Sequence, residues 1–205
     1  MRIAILGLLV AAAVVVPLPA QRATGRGAIG RVTTDVQCAA DLGTGVKSRR
    51  TFCDVLVANT PAGSVMMTIP PRTGAATLHF DLHNRFTVPA LAVPALLAFA
   101  RHEAMVRVIQ PAGDVIGSAA VLREFRSVTD LFDQIGGGGR PGGVKAVAPG
   151  AAEAVRFTIP ASVSTVGIVG VRLKVLTRAG DETFEAPGRP VAIVSNLRIQ
   201  YTPAP

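Results

Sequence analysis

Two of the chain's three histidines fall in one stretch, His79-Phe80-Asp81-Leu82-His83-Asn84-Arg85. Imidazoles and carboxylates bind divalent metals and move protons near neutral pH, so an aspartate between two histidines is the first place to look for chemistry. Leu78, Phe80 and Leu82 alternate with polar residues at the period of a strand. That period sends the leucines and phenylalanine to a core and His79, Asp81 and His83 together to the opposite face. At about 3.3 Å per residue the two histidines stand about 13 Å apart, too far to share one ion. His79 with Asp81, or Asp81 with His83, could share one if a third ligand came from elsewhere. His102 and Glu103, opening a later apolar stretch, are of the right type. Two readings stand side by side: a metal-dependent hydrolase centred on Asp81 and His83 with a divalent ion such as Zn or Ca, or the hydrated face of an ordinary strand on which Asp81 steadies a neighbouring imidazole.

Other constellations are thinner. Asp181, Glu182 and Glu185 form the densest acidic cluster and could join loop carbonyls around a structural Ca²⁺, although EF-hand spacing is absent. Gly136 to Lys145 contains six glycines in its first eight residues. It departs from a phosphate loop because Val144 separates the last glycine from Lys145, and Ala146 stands where Ser or Thr is needed. No G-x-S-x-G elbow occurs, and no strand carries closely paired acids of the kind glycosidases use. Cys38 and Cys53 are the only cysteines, with fourteen residues between them and no Cys-x-x-Cys. In an oxidising compartment they are expected to pair as a disulfide, clipping a hairpin-like excursion through the turn at Asp41 to Gly45.

These residues must be positioned by a fold of strands. Short runs rich in Val, Ile, Thr and Phe read as strands near 31–37, 51–58, 64–69, 75–83, 103–110, 115–124, 153–159, 164–176, 182–185 and 190–201. Gln110-Pro111-Ala112-Gly113-Asp114 and Thr177-Arg178-Ala179-Gly180-Asp181 read as hairpin loops carrying a glycine that can take positive φ. Val65 to Pro70 and Val155 to Pro160 share the pattern V-x-x-T-I-P, which would mark equivalent strand ends. Ser127 to Ile135 reads as one short helix, with Ser127 as its cap and Asp130 three residues on. Val88 to Ala100, apolar with Pro89 and Pro94, reads as an irregular connection. The expected architecture is all-β: a β-sandwich, jelly-roll-like, of about 9–10 strands with one short helix near 127–135.

The amino terminus reads as an address. Arg2 precedes an apolar run from Ile3 to Val16, then Pro17-Leu18-Pro19-Ala20. A spanning helix needs about 20 apolar residues, so this shorter run suits a cleaved signal peptide over 1–20. A lead-in over 21–30 and one β-sandwich domain over 31–205 would follow, without a transmembrane segment, in a secreted or periplasmic protein. The whole chain has a formal net charge of +8, and 18 of its 21 basic residues are arginines. They are scattered singly apart from Lys47-Ser48-Arg49-Arg50, and the chain has no Trp and one Tyr. Nucleic-acid binders concentrate charge and add stacking platforms, so nucleic acid is not expected as a partner.

Val191-Ala192-Ile193-Val194-Ser195-Asn196-Leu197-Arg198-Ile199-Gln200-Tyr201 resembles the last strand of galactose-binding-like jelly rolls. The resemblance implies a non-catalytic, carbohydrate-binding-like sandwich. With Tyr201 the only large amphipathic ring, contact with a glycan would rest on Asn, Asp, Arg and His side chains. The expected function is an exported, non-catalytic β-sandwich with a binding or structural role in the cell envelope or extracellular space. A glycan or an anionic envelope polymer is the expected partner, and the metal-dependent hydrolase is the alternative.

Overall fold

Alternation of apolar and polar residues, broken by Pro and Gly, becomes two antiparallel sheets packed face to face. The structure, a computed structural model, describes residues 30–32, 35–61, 63–87, 100–138, 143–144, 147–178 and 180–204. The expected signal peptide, the lead-in before Gly30 and the connection 88–99 lie outside the described residues. The first half carries β1 (Gly30–Val32), β2 (Val36–Cys38), β3 (Asp41–Thr44), β4 (Thr51–Leu56), β5 (Val65–Thr68), β6 (Arg72–Thr87), β7 (Ala100–Ile109) and β8 (Val115–Phe125). The second half carries β9 (Gly136–Gly138), β10 (Gly143–Val144), β11 (Val147–Pro149), β12 (Glu153–Ile159), β13 (Thr165–Thr177), β14 (Gly180–Phe184) and β15 (Pro190–Pro203).

One sheet has seven strands in the order β11-β6-β15-β4-β3, with β12 also on β6 and β1 also on β15. The other has six, in the order β2-β5-β13-β7-β8, with β14 also on β13. The β7–β8 turn forms as its chemistry expects: Gly113 takes φ 95° and donates to the Gln110 carbonyl at 2.9 Å. The two V-x-x-T-I-P segments end one strand in each sheet, β5 and β12, and both Ile69 and Ile159 are buried in the core.

Val55, Leu78, Phe80, Leu82, Val194 and Ile199 from the larger sheet meet Met67, Val106, Val108, Val121, Val166 and Ile168 from the smaller. Burying each such side chain contributes about 1.5–3 kcal/mol. Asn84 is a polar member of this layer. Its Nδ2 donates to the carbonyls of His102 at 3.0 Å and Val121 at 3.3 Å, tying the sheets together.

The disulfide Cys38–Cys53 is present, with its Cα atoms 5.7 Å apart. It does more than clip a hairpin. Cys38 ends β2 in the six-stranded sheet and Cys53 lies in β4 of the seven-stranded one, so the bond staples the two layers.

The helix expected over 127–135 is corrected to a single 3₁₀ turn, Val128–Asp130. Its start behaves as read: Asp130 Oδ2 accepts from the backbone N–H of Arg126 at 2.7 Å and Ser127 at 3.0 Å. Beyond it, tertiary partners outbid helical ones. Leu131 bridges to Gly150, and Ile135 bridges to Gly45. Asp133 accepts from the backbone N–H groups of Lys47 at 2.9 Å and Ser48 at 2.7 Å. Burial opposes its ionisation, but the Ser48 hydroxyl and these N–H donors outweigh it and hold the carboxyl below its ordinary range. A side chain at Gly45 would collide with the Asp133 carboxylate and the Phe52 ring, so glycine is required there.

Candidate functional site

β6 carries His79, Asp81 and His83 on the face turned away from the main core, as alternation requires. The three do not share one environment. Segment 131–135 crosses this face near its β4 end, where Leu42, Phe52, Ile135 and Ile193 form a second small core with Phe132 against it. His83 sits within that layer and is fully buried. Its expected place on a hydrated face is therefore overturned.

His83 makes two defined hydrogen bonds. A carbonyl can only accept, so Nδ1 donates to the Gly150 oxygen at 2.8 Å. That leaves Nε2 as the acceptor, and the Ser195 hydroxyl donates to it at 2.9 Å. The Phe52 ring stands edge-on at 5.5 Å and Phe132 lies tilted at 5.3 Å. Burial lowers the His83 pKa below its ordinary value, against smaller upward pulls from the Gly150 carbonyl and Asp81. The imidazole is accordingly neutral at pH 7, with both ring nitrogens engaged. Ser195, His83 and a carbonyl stand in the order of nucleophile, base and orienting group. Ser195 is itself fully buried, so the arrangement acts here as a satisfied polar insert in an apolar layer. Sequence reasoning missed Ser195 and Gly150. The visible signal was a lone hydroxyl closing the run Val191-Ala192-Ile193-Val194.

Asp81 is half-buried and already paired. Arg50 Nη1 donates to its Oδ2 at 2.7 Å, and Asn196 Nδ2 donates to the same oxygen at 3.2 Å. The Arg50 guanidinium also lies 5.4 Å from the Phe132 ring centre, linking Asp81 to the cover over His83.

His102 and Glu103 lie in other layers. His102 faces the space between the sheets, its ring edge-on to Phe86 at 4.7 Å. Burial pushes its pKa down to about 4, with the Ala100 carbonyl opposing. Glu103 accepts from Arg172 on the neighbouring strand β13 at 3.2 Å. In the acidic cluster, Asp181 pairs with Lys174 at 2.9 Å, and Lys174 holds its carboxyl below the usual range. Asp181 and Glu182 are successive residues of β14 and point to opposite faces. Glu185 follows the strand. Among the described residues no three His, Cys, Asp or Glu side chains are grouped to hold a metal ion.

Among the recesses open to solvent on the described residues, two bear on function. A groove of about 630 Å³ lies where the chain crosses from β14 to β15, lined by Arg85, His102, Leu173, Phe184 and Arg189 among others. Farther along the outer face of the seven-stranded sheet, a smaller recess of about 260 Å³ is lined by His79, Arg156, Arg198, Ile199 and Gln200.

Comparison with protein-family models, curated proteins and solved structures returned no match.

Proposed function

We propose that the protein is an exported, non-catalytic β-sandwich that binds an anionic polymer or glycan of the cell envelope or extracellular space. The observation that carries this reading is the contrast between the two ends of one sheet face. At one end the residues suited to catalysis, His83 and Ser195, are sealed under Phe132 and Ile135 and satisfied by each other. At the other, exposed Arg156 and Arg198 flank His79 beside an open recess. Export is supported by the amino-terminal apolar run and by the Cys38–Cys53 disulfide.

Retention of the purified chain on immobilised anionic polysaccharides and neutral glycans tests the reading. Binding to the anionic supports at low ionic strength, weakening steadily as salt rises, is expected. Absence of binding to either class at low salt would end it. Export is tested by amino-terminal sequencing of the protein recovered outside the cytoplasm, which should begin at Gln21. Native mass spectrometry supplies the opposing test. A stoichiometric metal that disappears in His83→Ala would replace this reading with a metal-dependent hydrolase at Asp81 and His83.

A further inference from the structure

We infer that Arg156, His79 and Arg198 form a subsite for a tetrahedral oxyanion, a phosphate or sulfate ester carried by an acidic polymer. The inference rests on the binding role just proposed and names the group recognised. β12, β6 and β15 run side by side, and the register sets Arg156 directly opposite His79 on one flank and Arg198 directly opposite it on the other. The three side chains therefore stand abreast on the outer face. Neighbouring strands lie about 4.8 Å apart, so the two guanidiniums, one strand to either side of His79, stand about 10 Å from each other at their roots. A fold gains nothing by lining up two guanidiniums beside an imidazole.

The backbone departs from regularity to make this row. Ser195 pairs with Asp81, so an unbroken register would bring Leu197 opposite His79. A bulge between Ser195 and Arg198 adds one residue, and Arg198 takes that place instead. Asn196, within the bulge, adopts φ 53°, a conformation few residues other than glycine and asparagine tolerate. Leu197 then packs against the core, and Arg198 is exposed. Bulges commonly re-aim side chains at functional sites, and this one delivers a second arginine.

No described carboxylate neutralises the pair. Arg156 and Arg198 form no ion pair with a described residue. The acid nearest along the same strand face, Asp81, is held by Arg50 and Asn196. Gln200 lines the same recess and offers a neutral amide donor. Guanidinium forks on two sides match an anion with oxygens in several directions. A carboxylate presents its lone pairs in one plane, whereas a phosphate or sulfate ester presents oxygens in three dimensions and meets forks from both sides more readily.

The test is an NMR titration of the purified chain with inorganic phosphate, and separately with inorganic sulfate, following the Arg Nε–H and imidazole signals. Saturable shifts confined to His79, Arg156, Arg198 and their neighbours are expected. They should vanish in Arg156→Met/Arg198→Met and persist in Arg101→Met, which removes a surface ion pair on the other sheet. Shifts spread evenly over the surface, or retained in the double variant, would overturn the subsite. Polyphosphate, dextran sulfate and polygalacturonate then distinguish phosphate, sulfate and carboxylate sources. At least tenfold weaker binding of one ester polymer by the double variant is expected. Unchanged polymer binding by that variant would overturn the subsite and leave the binding role standing. No polymer binding by the parent chain, with the anion shifts intact, would overturn the role and leave the subsite standing.

Discussion

Ser195 Oγ donates to His83 Nε2 across 2.9 Å, joining neighbouring central strands beneath the Phe132 cover. A buried acceptor that loses its donor keeps its desolvation penalty, so Ser195→Ala should cost about 1–3 kcal/mol by urea unfolding. Replacing both groups, in His83→Leu/Ser195→Ala, should cost less than the two single changes added together. Strict additivity would show that the two side chains do not interact.

Two histidines withdrawn from solvent, His83 fully and His102 in part, make stability depend on pH. His102 is lowered from 6.5 to about 4, and His83 is lowered as well, both chiefly by burial. The unfolded chain therefore binds protons first as pH falls. Their contribution is whole above about 6.5, declines as pH drops, and for His102 levels off below about 4. Imidazole NMR signals should show His102 still neutral at about pH 5.5. A midpoint near its ordinary value would show that the groove hydrates the ring.

Asn196 bears the left-handed backbone of the bulge. Asn196→Ala should destabilise the protein by about 1–2 kcal/mol, because an ordinary residue meets its own carbonyl at positive φ. Asn196→Gly should cost less, since glycine removes that clash and loses only the hydrogen bond to Asp81. Denaturant midpoints of the two variants give the order directly. Equal costs would mean that the amide contact to Asp81, which both variants lose, and not the backbone, holds the bulge.

Removing the inter-sheet staple gives the largest expected effect. Cys38→Ser/Cys53→Ser should lower stability by about 3 kcal/mol through the added freedom of the unfolded chain. Far-UV circular dichroism of the variant should keep its β signature at low temperature. Loss of the sheet signal there would show that the bond is needed to form the fold as well as to stabilise it.

Much of the scaffold was legible in the chain. Alternation placed Leu78, Phe80 and Leu82 in the core and turned His79, Asp81 and His83 the other way, because side-chain direction in a strand depends only on parity. The Gln110 to Asp114 turn was legible because Gly113 can take a positive φ at little cost. The cysteine pair was legible from the number of cysteines.

What the chain alone could not decide depends on partners distant in sequence. Parity says which face a residue takes but not what lies over it, so only the passage of 131–135 across the sheet made His83 a buried residue. The same passage undid the helix after Asp130, because Asp133 found donors at Lys47 and Ser48. Strand order decided that Cys38 and Cys53 join two layers. The row of Arg156, His79 and Arg198 spans strands far apart in the chain, and a one-residue bulge sets it. Local pattern determines direction and periodicity, which are properties of the backbone. Register and cover are settled by long-range packing, where a single added residue changes which side chains meet.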